Sequence, residues 1–497
     1  MQIIIKTPTK AIIESSSQDE IDKLAKMLTY TNTNVQFLLQ KHRSNFRLKQ
    51  SSPEYYRRYE SELLSQLRTC LLFRDRSGQN WTYPGIIPYL ESKFDIKIIR
   101  NEIEYPVLKP IEWKKKPEYE PYDYQRDSVS RFFNAKHSCV SLATGLGKSL
   151  ILLMIARQSG NCVVITPSKS IFLELVSLFE EALGKDKVGM FGDGKKDIEK
   201  PITVAIGKSL TMIKKDSPEY EFFSKKKVMC ADESHSWAAD TLEEVCHGVL
   251  SLIPYRFFAS GTQISNNGKS VLLNAVIGKC IYEKNIGDGI REGYLCPLNF
   301  KILESSSSSR STKKDPLVIK REHFLRNENI ARKIAEIANA CWTMRGESTL
   351  ILVEELVQIE MLAKYLKVPF GYAHSGSKKE SAEHGLEAVK PHEQVLRFNM
   401  GEIKVMIGTR CISTGTNIYA QSHCHNWVGG SSPVSVCQGG MGRNTRILSN
   451  SKFKQYHKPR SCVYVYDYKI KGHELLNKHL DKRIECYEEA GGTITFL

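Results

Sequence analysis

Long apolar runs are missing from this 497-residue sequence. No uninterrupted stretch approaches the roughly 18 residues that a membrane-spanning helix requires. The first residues, Met1-Gln-Ile-Ile-Ile-Lys6, become polar too soon for a signal peptide and instead predict a first strand. We therefore expect a cytoplasmic protein without a membrane partner.

Cysteine pairs of the Cys-x-x-Cys kind are also missing, although the chain has 13 cysteines. The odd number and the apolar surroundings of residues such as Cys162 and Cys230 predict reduced, buried thiols rather than disulfides. His423-Cys424-His425 raises the question of a metal site. Adjacent ligands without the usual loop spacing argue against one there.

Acidic residues are fewer than basic ones: the chain has 55 Asp and Glu and 71 Lys and Arg, which gives a formal net charge of +16. This excess favours a polyanionic partner, although a merely soluble basic protein has the same composition. The excess begins early, because residues 1–100 hold 16 Lys and Arg against 10 Asp and Glu. A chain of this length and ordinary hydrophobic content predicts a globular protein with more than one domain.

Residues 1–105 predict a small basic α+β module, with a strand at Ile3–Ile5, a helix from Gln18 to Leu28 and a closing strand at Ile96–Ile99. Basic and aromatic residues alternate between these elements, a mixture that suits nucleic-acid binding but also occurs in cores. The set comprises Arg43, Phe46, Arg47, Lys49, Tyr55, Tyr56, Arg57, Arg58, Arg74, Arg76 and Trp81. We expect DNA or RNA contact by this module, with Arg57 and Arg58 among the contact residues.

Residues 106–118 lack periodicity and predict a linker. From residue 119, short apolar runs alternate with helical patterns, which indicates a parallel, doubly wound sheet in a first domain, 119–295. A second α/β domain, 296–497, contains a Ser-rich, solvated insertion at 304–312 and ends in a charged helix from His473 to about Ala490. The predicted strands include Cys162–Thr166, Ile202–Ile206, Val228–Ala231, Leu350–Val353, Phe370–Ala373, Val405–Gly408 and Val463–Tyr466. Two such domains in tandem suggest a cleft that clamps a nucleotide.

A glycine loop, Ser141-Leu-Ala-Thr-Gly-Leu-Gly-Lys-Ser-Leu150, joins an apolar run to an amphipathic one. Gly145 and Gly147 allow successive backbone N–H groups to point at a phosphate. Lys148 would supply a positive charge for the terminal phosphates, and Ser149 a hydroxyl ligand for magnesium. The strict phosphate-loop pattern has a small residue where Leu142 stands, so an ordinary strand-to-helix turn is the alternative.

An acidic pair, Asp232-Glu233, directly follows the apolar run Val228–Ala231. The carboxyl end of a buried parallel strand places such a pair beside the glycine loop. Asp232 is predicted to hold the magnesium shell, while Glu233 orients and deprotonates the attacking water. A solvated acidic loop is the alternative, but the apolar strand before the pair argues against it.

These two segments resemble motifs I and II of superfamily 2 helicases of the DExH kind, with motif II as Asp232-Glu-Ser-His235. Tyr124-Gln125 resembles the glutamine motif that reads adenine. Thr166-Pro-Ser-Lys169 resembles motif Ia, which holds strand phosphates, and Ser260-Gly-Thr262 resembles motif III. The resemblance implies nucleotide binding by Tyr124, Gln125 and Thr144, a catalytic role for His235, and strand contact by Pro167, Ser168, Lys169 and Thr262.

In the second half, Gly408-Thr409 and Ser413-Thr-Gly-Thr-Asn417 resemble motif V, and Gly442-Arg-Asn-Thr-Arg446 resembles motif VI. Motif VI has two arginines that face the γ-phosphate. The resemblance implies strand contact by Thr409, nucleotide contact by Gly415 and a catalytic role for Arg443 and Arg446. Gln438 departs from the pattern, because it lies four residues before Gly442 instead of three, and its role stays open.

The whole layout resembles the UvsW-type helicases of tailed phages in its basic front module and in three segments: Glu120-Pro-Tyr-Asp-Tyr-Gln125, Gly287–Leu298 and Ser413-Thr-Gly415. The resemblance implies an α/β fold with two tandem RecA-like parallel-sheet motor domains behind a small α+β module. It also implies an ATPase that uses Mg²⁺ and that unwinds and branch-migrates forks, Holliday junctions and R-loops in recombination, replication or repair. The expected partner is branched or duplex DNA, or an RNA–DNA hybrid, bound by a monomer in the cytoplasm, which is the host's if the chain is phage-encoded.

Three competing hypotheses remain at this point. An RNA helicase or a restriction-type DNA translocase subunit of the same superfamily would share every motor motif. A nucleic-acid-binding or annealing protein with an inactive ATPase belongs to another class. The intact set Lys148, Asp232, Glu233, Arg443 and Arg446 argues against that last hypothesis.

Overall fold

The chain folds into two compact units. Its structure, a computed structural model, describes residues 1–116, 120–234, 237, 239–261, 270–309, 315–374, 376, 378–412, 418–430, 445–448, 451 and 453–497. The first unit comprises Met1–Leu142 and Lys148–Glu283, and the second comprises Ala143–Gly147 and Lys284–Leu497. No helix within these described ranges is both long and apolar enough to cross a membrane.

The amino-terminal part of the first unit contains a five-stranded sheet, a two-stranded sheet and a helical segment between the strands of the latter. Its elements are β1 (Gln2–Thr7), β2 (Lys10–Glu14), α1 (Gln18–Met27), β3 (Thr29–Thr31), α2 (Thr33–Arg43), α3 (Phe46–Ser51), α4 (Pro53–Gln66), β4 (Arg68–Cys70), β5 (Phe73–Arg74), β6 (Asn80–Thr82), α5 (Ile87–Leu90) and β7 (Lys97–Asn101). The larger sheet has the order β5-β6-β2-β1-β7, and β3 pairs with β4. The Ser17 hydroxyl caps α1 by accepting a hydrogen bond from the Glu20 N–H.

The rest of the first unit is an α/β layer built on an eight-stranded sheet of order β11-β10-β12-β9-β13-β14-β8-β15. The elements are α6 (Asp123–Ala135), β8 (His137–Leu142), α7 (Lys148–Ser159), β9 (Cys162–Thr166), α8 (Lys169–Leu183), β10 (Val188–Gly192), β11 (Lys195–Asp197), β12 (Ile202–Ile206), α9 (Gly207–Leu210), α10 (Pro218–Ser224), β13 (Val228–Ala231), α11 (Ala239–His247), β14 (Tyr255–Ser260), α12 (Ser270–Ile277) and β15 (Lys279–Lys284). Strands β10, β12, β9, β13, β14 and β8 are mutually parallel. The carboxyl ends of β8, β9 and β13 therefore meet at one sheet edge, where parallel sheets carry their ligand sites.

The second unit contains a seven-stranded, all-parallel sheet of order β18-β19-β17-β20-β21-β16-β22. Its elements are α13 (Ile286–Arg291), β16 (Leu298–Ser305), α14 (Pro316–Lys320), α15 (Glu328–Ala340), β17 (Thr349–Val353), α16 (Leu356–Ala363), β18 (Phe370–Ala373), α17 (Lys378–Glu383), α18 (Pro391–Asn399), β19 (Val405–Gly408), β20 (His423–Trp427), β21 (Val463–Ile470), α19 (Glu474–Glu489) and β22 (Thr493–Phe496). The predicted α/β class, with two parallel-sheet domains behind a small α+β part, is confirmed.

The amino-terminal part shares a hydrophobic core with the α/β layer of its own unit. Leu24 and Leu90 belong to the same cluster of buried side chains as Leu272 on α12. Gly85 approaches α12 so closely that a Cβ atom would lie 2.4 Å from the Ala275 carbonyl oxygen. The Tyr83 hydroxyl donates to the Glu243 carboxylate at 2.6 Å. The front module is therefore packed onto the layer that carries the glycine-loop strand.

The predicted linker is hydrogen bonded along the surface of the first unit. The N–H of Ile111 donates to the Arg157 carbonyl at 2.9 Å, and the N–H of Lys114 donates to the Ala182 carbonyl at 2.9 Å. At Gly160 (φ 60°), a Cβ atom would lie 1.8 Å from the Lys109 carbonyl oxygen. Residues 106–116 thus follow a defined path past the ends of α7 and α8.

The cluster His423-Cys424-His425 forms part of the buried strand β20. His423 hydrogen bonds to the Tyr466 hydroxyl at 3.0 Å and to Glu347 at 2.7 Å, and His425 hydrogen bonds to the Tyr468 hydroxyl at 2.6 Å. Burial lowers the pKa of both imidazoles. These histidines therefore serve the packing of the second sheet. Among the described residues, no group of three or more His, Cys, Asp or Glu is placed to hold a metal ion.

Candidate functional site

Three predicted catalytic side chains meet at the carboxyl edge of the first unit's large sheet. Lys148, the first residue of α7, is buried, and its Nζ lies 3.4 Å from Glu233 Oε1. The same Nζ donates to the Leu142 carbonyl at 3.3 Å. The Glu233 N–H donates to Asp232 Oδ1 at 2.9 Å. Residues separated by more than eighty positions in the sequence thus form one charged cluster.

Asp232 is buried at the end of β13, and its environment disfavours the charged form. Burial raises the pKa of Asp232 to about 7, with the neighbouring Glu233 carboxylate adding to the effect and the Lys148 ammonium opposing it. A cation beside this carboxyl group would restore the ionised form. Mg²⁺ prefers oxygen ligands, so Asp232 and the hydroxyl of Ser149, the second residue of α7, suit a magnesium ion.

Glu233 has a strained backbone. Its φ of 48° lies in the left-handed region, which only two other described non-glycine residues, Lys136 and Asp193, enter. Such a conformation costs about 1–3 kcal/mol and persists only where the surroundings impose it. In this conformation the Glu233 carboxylate lies beside the Lys148 ammonium. No sequence pattern predicts this strain.

Trp237 and Gly207 support the acidic pair, and sequence reasoning missed both. The Trp237 indole N–H donates to the Asp232 carbonyl at 2.9 Å. Its ring lies so close to Gly207, at the start of α9, that a Cβ atom there would be 2.0 Å from a ring carbon. The absence of a side chain at Gly207 thus permits the indole position that fixes the Asp232 peptide.

We expect Gly207→Ala to displace the Trp237 ring, to destabilise the protein by about 1–3 kcal/mol through overpacking, and to lower nucleotide turnover. Thermal unfolding and a phosphate-release assay measure the two effects. Gly194→Ala is the control for lost stability alone, because a Cβ there meets nothing within 4 Å, Trp237 included, while its φ of 75° strains an alanine backbone. Equal losses of turnover in both variants would show that Trp237 does not support the site.

The glycine loop, residues 143–147, is grouped with the second unit. Gly145 and Gly147 have φ values of 96° and 76°, which favour glycine. A Cβ at Gly145 would lie 3.0 Å from a Leu295 methyl carbon. The Thr445 hydroxyl donates to the Thr144 carbonyl at 3.4 Å. Leu142 is fully buried at the end of β8, so the residue that departs from the strict pattern belongs to the strand.

The residues of the glutamine motif lie at the start of α6, and both are buried. Gln125 Oε1 accepts a hydrogen bond from the Tyr122 N–H at 2.9 Å, and its Nε2 lies 3.5 Å from the Tyr124 hydroxyl. The amide predicted to read adenine therefore also caps the helix. The rings of Tyr122 and Tyr124 are stacked with centroids 5.7 Å apart.

The segment that resembles motif Ia leaves β9 at Thr166 and enters α8 at Lys169. Ser168 hydrogen bonds to Ser170 through their hydroxyls at 3.1 Å, directly after Pro167. The exposed Lys169 side chain forms an ion pair with Asp193 at 2.7 Å. Polar groups at the end of a parallel strand are thus available at the same sheet edge as Lys148.

In the second unit, Thr409 follows β19 and donates through its hydroxyl to Cys411 Sγ at 3.5 Å. Arg446 lies over the Tyr419 ring, 5.4 Å from the ring centroid. Arg57 and Arg58, in the first unit, are exposed on α4. Four predicted site residues, His235, Thr262, Gly415 and Arg443, lie outside the described residues, as does Gln438.

Residues 118–262 match the family model described as "Type III restriction enzyme, res subunit". Over 251 residues the chain is 22% identical to the DNA 3'-5' translocase XPB2 of Sulfurisphaera tokodaii, covering 49% of this chain and 52% of that protein. Over 170 residues it is 26% identical to the ATP-dependent DNA helicase uvsW of Enterobacteria phage T4, covering 32% of each. The chain thus spans about half the length of the first curated relative and about a third of the second.

A solved structure of the ATP-dependent Type ISP restriction-modification enzyme LlaBIII bound to DNA superposes with a TM-score of 0.53 at 12% identity. The superposition covers 80% of this chain and 32% of that enzyme. At this identity the likeness concerns the fold alone. It extends over both units, whereas the family model matches residues 118–262.

Proposed function

Because the chain is a superfamily 2 helicase that resembles UvsW, and thus an ATP-hydrolysing enzyme, we propose that it is a DNA helicase or translocase that unwinds and branch-migrates forks, Holliday junctions and R-loops. The cluster of Lys148, Asp232 and Glu233 is the observation that carries the proposal. The two curated relatives are named as a DNA translocase and a DNA helicase, which favours DNA over RNA as the substrate. Work in recombination, replication or repair follows from that choice of substrate.

Hydrolysis in this proposal relies on charge compensation. Lys148, Arg443 and Arg446 neutralise the charge that develops on the transferring γ-phosphoryl group. The Glu233 carboxylate accepts a proton from the attacking water, and the Lys148 ammonium lies 3.4 Å from that carboxylate. Bound Mg²⁺, held by Asp232 and Ser149, would supply further charge neutralisation at the phosphates.

Strand contact is proposed for two further sets of residues. Pro167, Ser168 and Lys169 lie at the sheet edge next to the hydrolysis cluster, and Thr409 lies at the end of β19 in the second sheet. Backbone and hydroxyl groups at such strand ends suit phosphates rather than bases. Binding should therefore be salt-sensitive and largely independent of sequence.

The helices α2 to α4 form a basic and aromatic surface that we propose as a DNA contact. Residues 33–66 contain six Lys and Arg and three Asp and Glu. Phe46 is 71% exposed and Tyr55 is 57% exposed, beside the exposed Arg57 and Arg58. Exposed rings can stack on unpaired bases, while the arginines meet phosphates. Because this module shares its core with the α/β layer, its removal would expose buried side chains, so charge substitutions are the better test.

We expect the double variant Arg57→Ala/Arg58→Ala to bind forked DNA more weakly and to reduce the slope of log K against log salt by about 2. Fluorescence anisotropy across a salt series measures this slope. Lys23→Ala/Lys26→Ala on α1 is the control, because it removes the same charge from the same module outside α2–α4. Equal slopes in the two double variants would exclude a specific contact by α4.

A substrate panel tests the proposed function as a whole. Fork, four-way junction, displacement loop, RNA–DNA loop, plain duplex DNA and duplex RNA are incubated with the enzyme, Mg²⁺ and ATP, with Glu233→Gln as the control without hydrolysis. We expect strand release or branch movement on the branched DNA substrates, and ATPase stimulation by them. Unwinding of duplex RNA with no action on DNA would overturn the proposal in favour of an RNA helicase.

A restriction-type DNA translocase is the second candidate, and the match of residues 118–262 to a restriction-enzyme family model favours it. Such a motor moves along intact duplex without separating its strands. Displacement of a third strand from a triplex, combined with no strand release from forks or junctions, would support this candidate. Displacement from both kinds of substrate would support the branch-migrating helicase.

A further inference from the structure

Arg460 connects the segment that follows motif V with the last residue of motif VI. Its Nη1 donates to the Tyr419 carbonyl at 2.7 Å and also to the Gln421 carbonyl. Its Nη2 donates to the Arg446 carbonyl at 2.9 Å. The planar Arg460 guanidinium thus joins two segments through their carbonyl groups. One is residues 419–421, just after motif V, and the other is Arg446, the last residue of motif VI.

The Arg446 side chain is held by the same partners. Its guanidinium lies over the Tyr419 ring at 5.4 Å from the centroid, a cation–π contact. Tyr419 is itself fixed, because its N–H donates to Asn399 Oδ1 at 2.9 Å. The peptide and the side chain of Arg446 are therefore both tied to Tyr419, directly or through Arg460.

A third connection comes from the segment that precedes β16. The Cys296 N–H donates to the Thr445 carbonyl at 2.6 Å, one residue before Arg446. The backbone is thus restrained on both sides of Arg446, at the Thr445 carbonyl by Cys296 and at the Arg446 carbonyl by Arg460.

A structural role alone does not account for Arg460. It is partly buried, burial lowers its pKa, and it forms no ion pair with an Asp or Glu among the described residues. A charge held away from water without a counter-ion stabilises a fold poorly. Its three carbonyl partners instead match the planar fork of donors that only arginine offers.

We propose that Arg460 and Tyr419 are positioning residues for Arg446 in ATP hydrolysis, and that they couple the segment after motif V to motif VI. Arg460 holds the Arg446 peptide, and the Tyr419 ring orients the guanidinium. The inference rests on the proposed function, because it requires Arg446 to act on the transferring phosphoryl group.

The test compares Arg460→Lys and Tyr419→Leu in the full chain with the same changes in an Arg446→Ala background. Lysine keeps the charge but cannot donate to three carbonyls from one plane. We expect each single variant to lower kcat for DNA-stimulated ATP hydrolysis by about 10- to 100-fold, with KM for ATP changed by less than about threefold. In the Arg446→Ala background, neither change should lower kcat further.

Lys458→Met is the matched control, since the Lys458 ammonium donates to the Arg345 carbonyl at 2.6 Å and contacts neither Tyr419 nor Arg446 in any described hydrogen bond.

Wild-type kcat in Arg460→Lys and Tyr419→Leu, together with a strong loss in Arg446→Ala, would overturn the positioning role alone. Equal losses in both backgrounds would also overturn it, because they would reflect the fold. Wild-type turnover in Arg446→Ala would overturn the catalytic role of Arg446 and the positioning role together. If Arg460→Lys fails to fold, Tyr419→Leu decides by the same comparison.

Discussion

Replacement of Glu233 by Gln should lower the rate of ATP hydrolysis by about 10²- to 10⁴-fold, because the amide cannot accept the proton of the attacking water. Gln keeps the size of the side chain, so the packing at the end of β13 should not change. Lys148→Ala should lower turnover at least as strongly, because it removes the ammonium that lies 3.4 Å from Glu233 and that we expect to meet the phosphates. A phosphate-release assay with and without forked DNA measures both variants.

DNA binding should persist in both variants, since neither side chain belongs to the proposed strand contacts. Glu221 and Lys225, in the same unit, form an exposed ion pair at 2.5 Å. The variants Glu221→Gln and Lys225→Ala therefore serve as controls. Both controls should turn over ATP normally. Wild-type-like hydrolysis in Glu233→Gln and Lys148→Ala would refute the assignment of the site.

Replacement of Arg446 by Ala should lower kcat by about 10³- to 10⁵-fold, the range typical of arginines that stabilise the charge of phosphoryl transfer. The guanidinium acts on the transition state, so KM for ATP should change little. Arg443→Ala is expected to behave in the same way. Single-turnover hydrolysis at saturating ATP separates this loss of chemistry from any loss of binding.

Arg397→Ala is the control for both arginine variants, because Arg397 forms an exposed ion pair with Glu402 at 3.1 Å in the same unit. It should retain turnover. A rise in KM without a fall in kcat would assign Arg446 to nucleotide binding instead of catalysis. Unchanged kinetics in Arg446→Ala would remove the second unit's motif VI from the mechanism.

The hydrolysis cluster was accessible from the sequence because its parts are local. A buried apolar run such as Val228–Ala231 predicts a strand, and the residues after it must lie at the strand's carboxyl end. The same reasoning places Lys148 after β8. Parallel strands share one edge, so the meeting of Lys148 with Asp232 and Glu233 follows from two local patterns and one rule of topology.

The supporting contacts were not accessible in this way. Gly207 and Trp237 belong to ordinary sequence contexts, and only their approach shows that the indole fixes the Asp232 peptide. The left-handed conformation of Glu233 likewise has no local signal, since glutamate rarely adopts it. Strand β20 was also not predicted. It is fully buried, but its polar residues His423, His425 and Asn426 interrupt the apolar run by which buried strands are recognised.

The amino-acid sequence by itself determined the α/β class, the strands β9, β12 and β13 of the first large sheet, the strands β17, β18, β19 and β21 of the second, and the order of the charged motifs. Hydrophobic period and glycine spacing are local properties of the chain. Only the tertiary structure decided that the front module shares a core with the first α/β layer, through contacts such as that of Tyr83 with Glu243. Only the tertiary structure joined Tyr419 and Arg446 through Arg460. A sequence pattern predicts whether a side chain is buried or charged. It does not predict which side chain or carbonyl group it contacts, because that depends on how distant segments of the chain pack against each other.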